Sequence, residues 1–313
     1  MKSVMRRLLP LLLASLLVAG MAPAVVTTAT PPLATGLAAM EWLRCGTESA
    51  TRPPVVFIHG TFHGAWCWGE HWMPRFAAAG LECHALSLRG TSGSPCDSKS
   101  VKIAEHVADL TSFVEDVLPA DSLPPIFVGH SFGGATVLKY LEAGGRASGA
   151  VLLCSVPPSG NGPMTLRYLR RSLKRAWLIT AGFALKRCVK DAAVARELFF
   201  DETMADATLA SYMPRFAADS KIGLDVRDFA RNLPATRSNP DGRADWLPRA
   251  PPALVLGAAR DCVVDREGVE ETARFLGTAA EFVPLAHDVM LIDGWEAPAD
   301  RIIGWIGALG ADD

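Results

Sequence analysis

The sequence has little of several features that mark other classes of protein. Its 31 basic and 33 acidic residues nearly balance, and the formal net charge of −2 gives no reason to expect nucleic-acid binding. The seven cysteines are scattered and form no C-x-x-C or Cys/His cluster, so we expect neither a metal site nor a disulfide scaffold. Internal repeats and long low-complexity tracts are also missing. Half of the 313 residues are apolar, which is enough for one large α/β domain.

The N-terminal segment is typical of a targeting sequence. Basic residues precede an almost wholly apolar stretch at 8–19, and Ala22-Pro23-Ala24 offers a small-x-small cleavage site. The apolar stretch is short for a membrane span. We expect residues 1–24 to be a signal peptide for the secretory pathway or the extracellular space. A plastid or other organelle is the alternative, because no acidic residue occurs before Glu41, and an uncleaved signal anchor is a third hypothesis.

Strands and helices alternate between residues 53 and 310, after a linker and the start of the domain at 25–52. This rhythm predicts an α/β fold with a mostly parallel central sheet flanked by helices. The alternation of strands and helices is interrupted at about 157–250, and we expect this segment to be an inserted helical cap over the site. The predicted strands are 55–58, 81–86, 124–128, 150–154, 253–257 and 281–285. The predicted helices include 69–79, one capped by Ser100, 269–276 and 296–309.

The pentapeptide Gly129-His130-Ser131-Phe132-Gly133 fits the pattern G-x-S-x-G. A short apolar strand precedes it and a helix follows, so Ser131 occupies a tight strand-to-helix turn. Small neighbours permit the strained bend of such a nucleophile elbow, and the helix N-terminus favours the negative charge that develops when a serine attacks a carbonyl. Ser131 is therefore the predicted nucleophile.

The predicted general base is His287, which lies just past the last predicted strand, where a loop can hold it over the sheet edge. A plain surface histidine is the alternative. Asp261 follows the preceding strand and would orient the imidazole. Asp265 is its rival, although it could equally cap the helix that begins near Arg266. The chain order Ser, Asp, His is that of the α/β-hydrolase fold.

The predicted oxyanion hole uses two backbone N–H groups. One belongs to Phe132, directly after the nucleophile, and the other to the loop after the first strong strand. In that loop Thr61 is the first choice and Phe62 the second. His59 is expected to brace the loop by hydrogen bonding.

The chain resembles an α/β-hydrolase of the α/β-hydrolase-1 type over most of residues 53–310. Its loop HGTFHGAWCW, at 59–68, is similar to that of plant methylesterases and hydroxynitrile lyases. The resemblance implies a serine hydrolase without a cofactor or metal, in which Ser131, Asp261 and His287 act together and the oxyanion position falls on Thr61.

Two positions depart from the lyases of that family. They carry Lys directly after the catalytic His and Thr directly after the loop His, where this chain has Asp288 and Gly60. Hydroxynitrile lyase activity is therefore not expected. The insertion of roughly 90 residues also looks longer than the methylesterase cap, so the resemblance does not carry over a substrate.

A basic stretch from Leu166 to Lys190 carries eight Lys or Arg residues and no acid. Interleaved with apolar residues, it could lie on an anionic membrane surface as a peripheral contact. Alternatively, it is a cap helix that is apolar towards the core and basic towards solvent.

The sequence as a whole predicts a carboxylic-ester hydrolase with an acyl-enzyme intermediate and a small-molecule or lipid ester as substrate. An amidase or a carbon–carbon-bond hydrolase would use the same residues. A non-catalytic small-molecule receptor on the same fold is the alternative from another class. Haloalkane and epoxide hydrolysis are not expected, since the members of the fold that catalyse them use Asp where Ser131 stands.

Overall fold

An eight-stranded sheet forms the centre of the fold in the computed structural model, which describes residues 25–29, 40–49 and 51–310. Its strand order is β1-β2-β4-β3-β6-β7-β9-β10. The pairs β1–β2 and β2–β4 are antiparallel, and all other neighbours in the sheet are parallel. The strands are β1 (Thr27–Ala29), β2 (Trp42–Cys45), β3 (Val55–Ile58), β4 (Cys83–Leu86), β6 (Ile126–His130), β7 (Gly149–Leu153), β9 (Ala253–Ala258) and β10 (Ala280–Val283). A separate parallel pair joins β5 (Ser100–Val101) to β8 (Gly223–Leu224).

Helices cover the sheet and fill the interval between β7 and β9. Those outside the interval are α1 (Trp66–Gly69), α2 (Trp72–Ala78), α3 (Ile103–Asp116), α4 (Phe132–Glu142), α10 (Arg266–Phe275) and α11 (Glu296–Leu309). Those inside it, in the region predicted to be the cap, are α5 (Asn161–Arg171), α6 (Leu173–Ala184), α7 (Ala192–Phe199), α8 (Asp206–Asp219) and α9 (Val226–Arg231). Among the described residues, no helix is both long and apolar enough to cross a bilayer.

The core lies along the central strands. Every residue of β3, β6 and β7 is buried, as expected for short apolar runs in a parallel sheet covered on both faces. Phe57 of β3 packs against Trp68 and Phe76, with ring centroids 4.9 and 5.1 Å away. These contacts hold α1 and α2 against the sheet, and the mostly parallel α/β architecture predicted from the sequence is confirmed.

Several predicted boundaries differ from the structure. The strand before Ser131 runs from Ile126 to His130, because the prolines at 124 and 125 have no N–H to donate to a neighbouring strand. Ser100 does not cap α3. It lies in β5, and the N-cap is Lys102, whose N–H donates to the Glu105 carboxylate.

The N-terminal part of the domain differs from the prediction in two further ways. β1 and β2, within the interval 25–52, add to the sheet edge where the sequence suggests a linker. The helix predicted at 69–79 corresponds to α2, which begins only at Trp72, and a separate short helix, α1, ends at Gly69. The proposed targeting segment, residues 1–24, lies outside the described residues.

Candidate active site

Ser131 sits between β6 and α4 in a strained backbone conformation. Its φ is +54° and its ψ −119°, a region that a residue with a side chain rarely adopts. Hydrogen bonds hold this geometry: the Ser131 N–H donates to the Leu153 carbonyl, and its own carbonyl accepts from Gly134 and Val156. The turn predicted for the G-x-S-x-G motif is thus pinned by backbone groups of β7, α4 and the following loop.

Two glycines allow this turn to form. A Cβ on Gly133 would lie 2.3 Å from the Ile58 carbonyl oxygen and 2.5 Å from that of His59. A Cβ on Gly129 would lie 2.7 Å from the Cα of Gly134. Because backbone atoms cannot move aside, α4 reaches this position against β3 only if both residues lack a side chain.

The structure brings His287 and Asp261 together. His287 Nδ1 donates to Asp261 Oδ2 at 2.7 Å, and Asp261 Oδ1 accepts from the N–H groups of Val263 and Val264 at 2.7 and 2.9 Å. Burial opposes a charge on His287, yet the Asp261 carboxylate and the Asp288 charge together raise the pKa of His287 above its ordinary 6.5. Since Nδ1 carries a proton, Nε2 is the ring nitrogen left to accept one.

His287 also lies against the residue that precedes Ser131. His130 Nε2 donates to the His287 carbonyl at 3.0 Å, and the two ring centroids are 4.7 Å apart. Within the described residues, no hydrogen bond joins the Ser131 hydroxyl to His287. Hydrogen bonds between catalytic groups are often long in unliganded proteins and tighten when a substrate binds.

Asp265, the rival acid, occupies a different place. It is the N-cap of α10 and accepts from the Gly268 N–H at 3.0 Å. It also pairs with Arg167 of α5 through two hydrogen bonds of 2.7 and 2.6 Å, and Arg171 approaches within 3.3 Å. Its carboxylate therefore ties the cap to the sheet domain, and it makes no hydrogen bond to His287 in the described structure.

The loop after β3 lies directly beside Ser131. A Cβ on Gly60 would be 2.9 Å from the Ser131 Cβ, so the loop touches the predicted nucleophile. The next residue, Thr61, keeps its carbonyl turned to His63, while Phe62 has a φ of +67° and stacks on Phe183 of the cap. The N–H of Phe132, at the first position of α4, has no intrahelical acceptor.

His59 braces this loop as the sequence predicts. Its Nδ1 donates to the Gly60 carbonyl at 2.8 Å, and its Nε2 accepts from the Leu88 N–H at 2.9 Å. Burial lowers the pKa of His59 to about 3, so the ring is neutral and links β3 to the loop after β4.

A buried pair, His63 and Asp288, lies in the same region and was missed by the sequence analysis. His63 Nε2 and Asp288 Oδ2 are 3.0 Å apart, and His63 Nδ1 lies 2.8 Å from the Thr61 carbonyl. Both neighbours of the ring are acceptors, so His63 carries two protons opposite an ionised Asp288. The only signal in the sequence is a lone charge at 288 among apolar residues, which needs a buried partner.

One group of donor atoms has a composition that metals bind. Ligand atoms of His130, Cys154 and His287 lie within 4.8 Å of one another, and all three residues are buried. Each is already engaged: His130 and His287 in the hydrogen bonds above, and Cys154 with Asp261. Burial also raises the pKa of the Cys154 thiol well above its ordinary value. The ring nitrogens His130 Nε2 and His287 Nδ1 are thus already used in hydrogen bonds.

The candidate site is nearly closed to solvent. Ser131 is 6% exposed and His287 2% exposed. A cavity of about 830 Å³ lies at the side of the cap, and the residues that line it include Phe200, Asp201 and Arg260 but none of Ser131, Asp261 and His287. This outer cavity therefore does not open onto the candidate site.

The His63–Asp288 pair predicts a pH-dependent loss of stability in Asp288→Asn. Against the effect of burial, Asp288 raises the pKa of His63 above 6.5, and His63 holds the pKa of Asp288 below 3.8. The pair's stabilisation is complete between pH 3.8 and 6.5 and fades as the pH rises through the raised pKa of folded His63. We expect urea unfolding to show a loss of about 3 kcal/mol near pH 5.5 and a smaller loss near pH 9.

Asp293→Asn is the matched control, because Asp293 is an exposed acid on the same loop. It should change the free energy of unfolding by less than about 0.5 kcal/mol at either pH. An Asp288→Asn loss that is equal at both pH values would show that the pair is not an ion pair.

Comparison with known proteins identifies the family. A sequence profile described as the alpha/beta hydrolase family matches residues 55–303. The chain is similar to a pFDCC methylesterase of Arabidopsis thaliana, with 35% identity over 99 residues that cover 31% of this chain and 37% of the relative. It is also similar to a pheophorbidase of Raphanus sativus, with 34% identity over 87 residues that cover 28% of this chain and 32% of the relative. The chain thus spans only about a third of the length of these two relatives.

Solved structures share the fold at low sequence identity. An esterase from Exiguobacterium antarcticum has a TM-score of 0.66 and 16% identity, covering 90% of this chain and all of that one. A loop variant of a haloalkane dehalogenase from Bradyrhizobium elkanii has a TM-score of 0.63 and 16% identity, covering 93% and 99%. The profile match extends over most of the residues from β3 to α11, and the chain therefore belongs to the alpha/beta hydrolase family.

Proposed function

We propose that the protein is a serine hydrolase of carboxylic esters that acts through an acyl-enzyme intermediate. The observation that carries the proposal is the buried His287–Asp261 hydrogen bond, 2.7 Å long, beside the positive-φ turn at Ser131. A serine hydroxyl is a weak nucleophile until a neighbouring base takes its proton, and His287 Nε2 is the candidate base.

The proposed reaction has two steps. Ser131 Oγ attacks the ester carbonyl as His287 Nε2 takes the hydroxyl proton, and the same proton then passes to the departing alcohol. A water molecule, deprotonated by His287, attacks the acyl-serine and releases the acid, which restores the Ser131 hydroxyl. Asp261 holds the imidazole with its proton on Nδ1 and stabilises the imidazolium that forms in each step.

Backbone N–H groups would stabilise the oxyanion. Phe132 supplies one from the first turn of α4, where the helix dipole adds to the effect, and Thr61 supplies the second, with Phe62 as the alternate. The contact of Gly60 with Ser131 supports this assignment, because it brings the loop to the nucleophile. No metal or cofactor takes part in the proposed chemistry.

Ester substrates are favoured by the relatives. The Arabidopsis thaliana relatives at 35% and 28% identity are named methylesterases. We propose a small-molecule or lipid ester as the substrate, with amide or carbon–carbon bond hydrolysis as activities that the same residues would permit. A non-catalytic receptor is the competing class, and loss of turnover on substitution of Ser131 separates the two.

We also propose that residues 1–24 are a targeting segment, either for the secretory pathway or for a plastid or other organelle. Two Arabidopsis thaliana relatives are named as chloroplastic methylesterases, which supports the organelle alternative to the secretory pathway.

Ser131→Ala should abolish hydrolysis of p-nitrophenyl esters, tested from acetate to palmitate. Removal of the nucleophile is expected to lower kcat by at least about 10⁴-fold and to prevent labelling by a fluorophosphonate. Ser155→Ala is the control, because Ser155 is a buried serine close to the elbow whose hydroxyl donates to the Val156 carbonyl. Turnover that survives in Ser131→Ala, or labelling lost only in Ser155→Ala, would contradict the assignment.

Asp261→Asn and Asp265→Asn should behave differently. An amide at 261 favours the wrong imidazole tautomer, so we expect kcat to fall by about 10⁴-fold while the fold is kept. An amide at 265 weakens the pairing with Arg167 and Arg171, so we expect a lower melting temperature with kcat within about tenfold of wild type. Equal losses of activity in the two variants would reject Asp261 as the single orienting acid.

Cyanohydrin cleavage should stay at background in the wild-type protein. At 60 the chain has Gly where the lyases have Thr, and a Cβ there would lie 2.9 Å from the Ser131 Cβ. At 288 an ionised Asp stands where they have Lys, so the charge offered to a leaving cyanide has the wrong sign. Cyanide release from mandelonitrile above the Ser131→Ala rate would overturn this expectation.

A further inference from the structure

Helices α5 and α6 expose a mixed apolar and basic surface, which we call the outer cap face. Of the eight large hydrophobic residues exposed in the described structure, five belong to it, with 46–73% of their surface exposed. Its apolar members are Leu166, Leu169, Leu173, Trp177 and Leu185. Its basic members are Arg170, Lys174 and Arg175, all exposed. Ser172 alone separates the two helices along the chain.

The core of the cap does not need these side chains. The inner side of the two helices is supplied by other residues, and Met164, Tyr168, Ala176 and Ala181 are buried there. The basic residues of this stretch face solvent, as expected for a cap helix, but the apolar side chains of the outer cap face are exposed as well. Exposed apolar groups clustered in this way usually mark a surface that contacts something else.

The charges on this surface have one sign and lack partners. Arg167 and Arg171 are used inside the protein, where they pair with Asp265 and Glu267. Arg170, Lys174 and Arg175 make no ion pair with any described residue. The whole stretch from 166 to 190 holds eight Lys or Arg residues and no acid. Arg187 also pairs with Asp191, so the positive charge that no described acid offsets by an ion pair includes Arg170, Lys174 and Arg175 of the outer cap face.

We propose that the outer cap face docks onto the surface of an anionic lipid bilayer. Leucines beside a tryptophan suit the boundary between head groups and acyl chains, and flanking Lys and Arg residues suit anionic lipid head groups. Trp177 also lies under the Arg187 guanidinium, 5.3 Å from the ring centroid, so an aromatic ring and a cation are presented together. An acidic protein partner would neutralise the basic residues, but it would offer no apolar surface to the leucines at both ends of the outer cap face.

Docking at this face would bring the candidate site to the membrane. Phe183, on the inner side of α6, stacks on Phe62 of the loop beside Ser131 with ring centroids 5.6 Å apart. The helix that meets lipid thus also touches the oxyanion loop. The docking proposal does not depend on the hydrolase proposal, because vesicle binding can be measured without turnover.

The test is vesicle flotation of full-length protein carrying Ser131→Ala, so that no lipid is consumed. Vesicles contain phosphatidylcholine with or without phosphatidylglycerol. We expect binding to the anionic vesicles, weakened by salt. The double variant Arg170→Glu/Lys174→Glu should weaken it by at least about tenfold, since each basic residue near an anionic surface contributes about fivefold. Leu173→Ser/Trp177→Ser should weaken it to a similar degree.

Matched controls carry two charge reversals or two apolar-to-serine substitutions at exposed positions outside the outer cap face. They are Arg146→Glu/Arg231→Glu and Leu123→Ser/Val226→Ser, and both should bind as the parent does. Tryptic cleavage after Lys174 is a second measurement, local to the surface, and anionic vesicles should slow it.

Three results would overturn the proposal. The first is equal vesicle binding by the outer-cap-face variants and their controls. The second is no protection of Lys174 from trypsin in the presence of anionic vesicles. The third is loss of self-association in the variants with vesicle binding unchanged, which would assign this surface to a second copy of the chain.

Discussion

The close approach of α4 to β3 at Gly133 is the contact on which the rest of the site depends. The helix backbone lies against the carbonyl oxygens of Ile58 and His59, and this fixes how far Ser131 projects over the sheet. The predicted oxyanion loop starts at His59, where the α4 backbone packs. The predicted nucleophile and this loop are therefore positioned by the same contact. Position is thus set by backbone atoms, which tolerate less adjustment than side-chain contacts.

Parts of the site that follow from local sequence could be predicted. The strand, the glycines and the helix around Ser131 are contiguous, so the turn is visible in the pentapeptide. Asp261 and His287 follow two parallel strands, β9 and β10, whose carboxyl ends lie at the same edge, so their meeting follows from the topology. The choice between Asp261 and Asp265 required the coordinates, because both acids lie on one short loop.

Other parts of the site and of the fold could not be predicted, because the neighbouring residues in the sequence give no indication of them. His63 and Asp288 are 225 residues apart, and only the fold brings them together. β1 and β2 lie in a segment with the composition of a linker. They reach the sheet edge because β2 pairs with β4 and β1 pairs with β2. The exposure of Leu173 and Trp177 also required the coordinates, because the sequence left both a membrane-facing and a core-facing interpretation of this stretch open.

The buried charges around Ser131 are balanced in pairs. Asp261 lies against His287, and Asp288 against His63, so each carboxylate has an imidazole partner. Burial lowers the pKa of His130 to about 3, which keeps the ring between the two pairs neutral. The imidazolium proposed for His287 therefore forms opposite the Asp261 carboxylate, and the Asp288 charge adds to its stabilisation.

Asp265 joins helix α5 to the start of helix α10. One carboxylate caps α10 and also receives Arg167 from α5, so the start of that helix and the seating of the cap share a single group. If α5 swings away, the carboxylate loses its counter-ions while it still serves the helix. The position of α5 and the order at the start of α10 are therefore coupled through one group, and a change in either contact would be felt at the other.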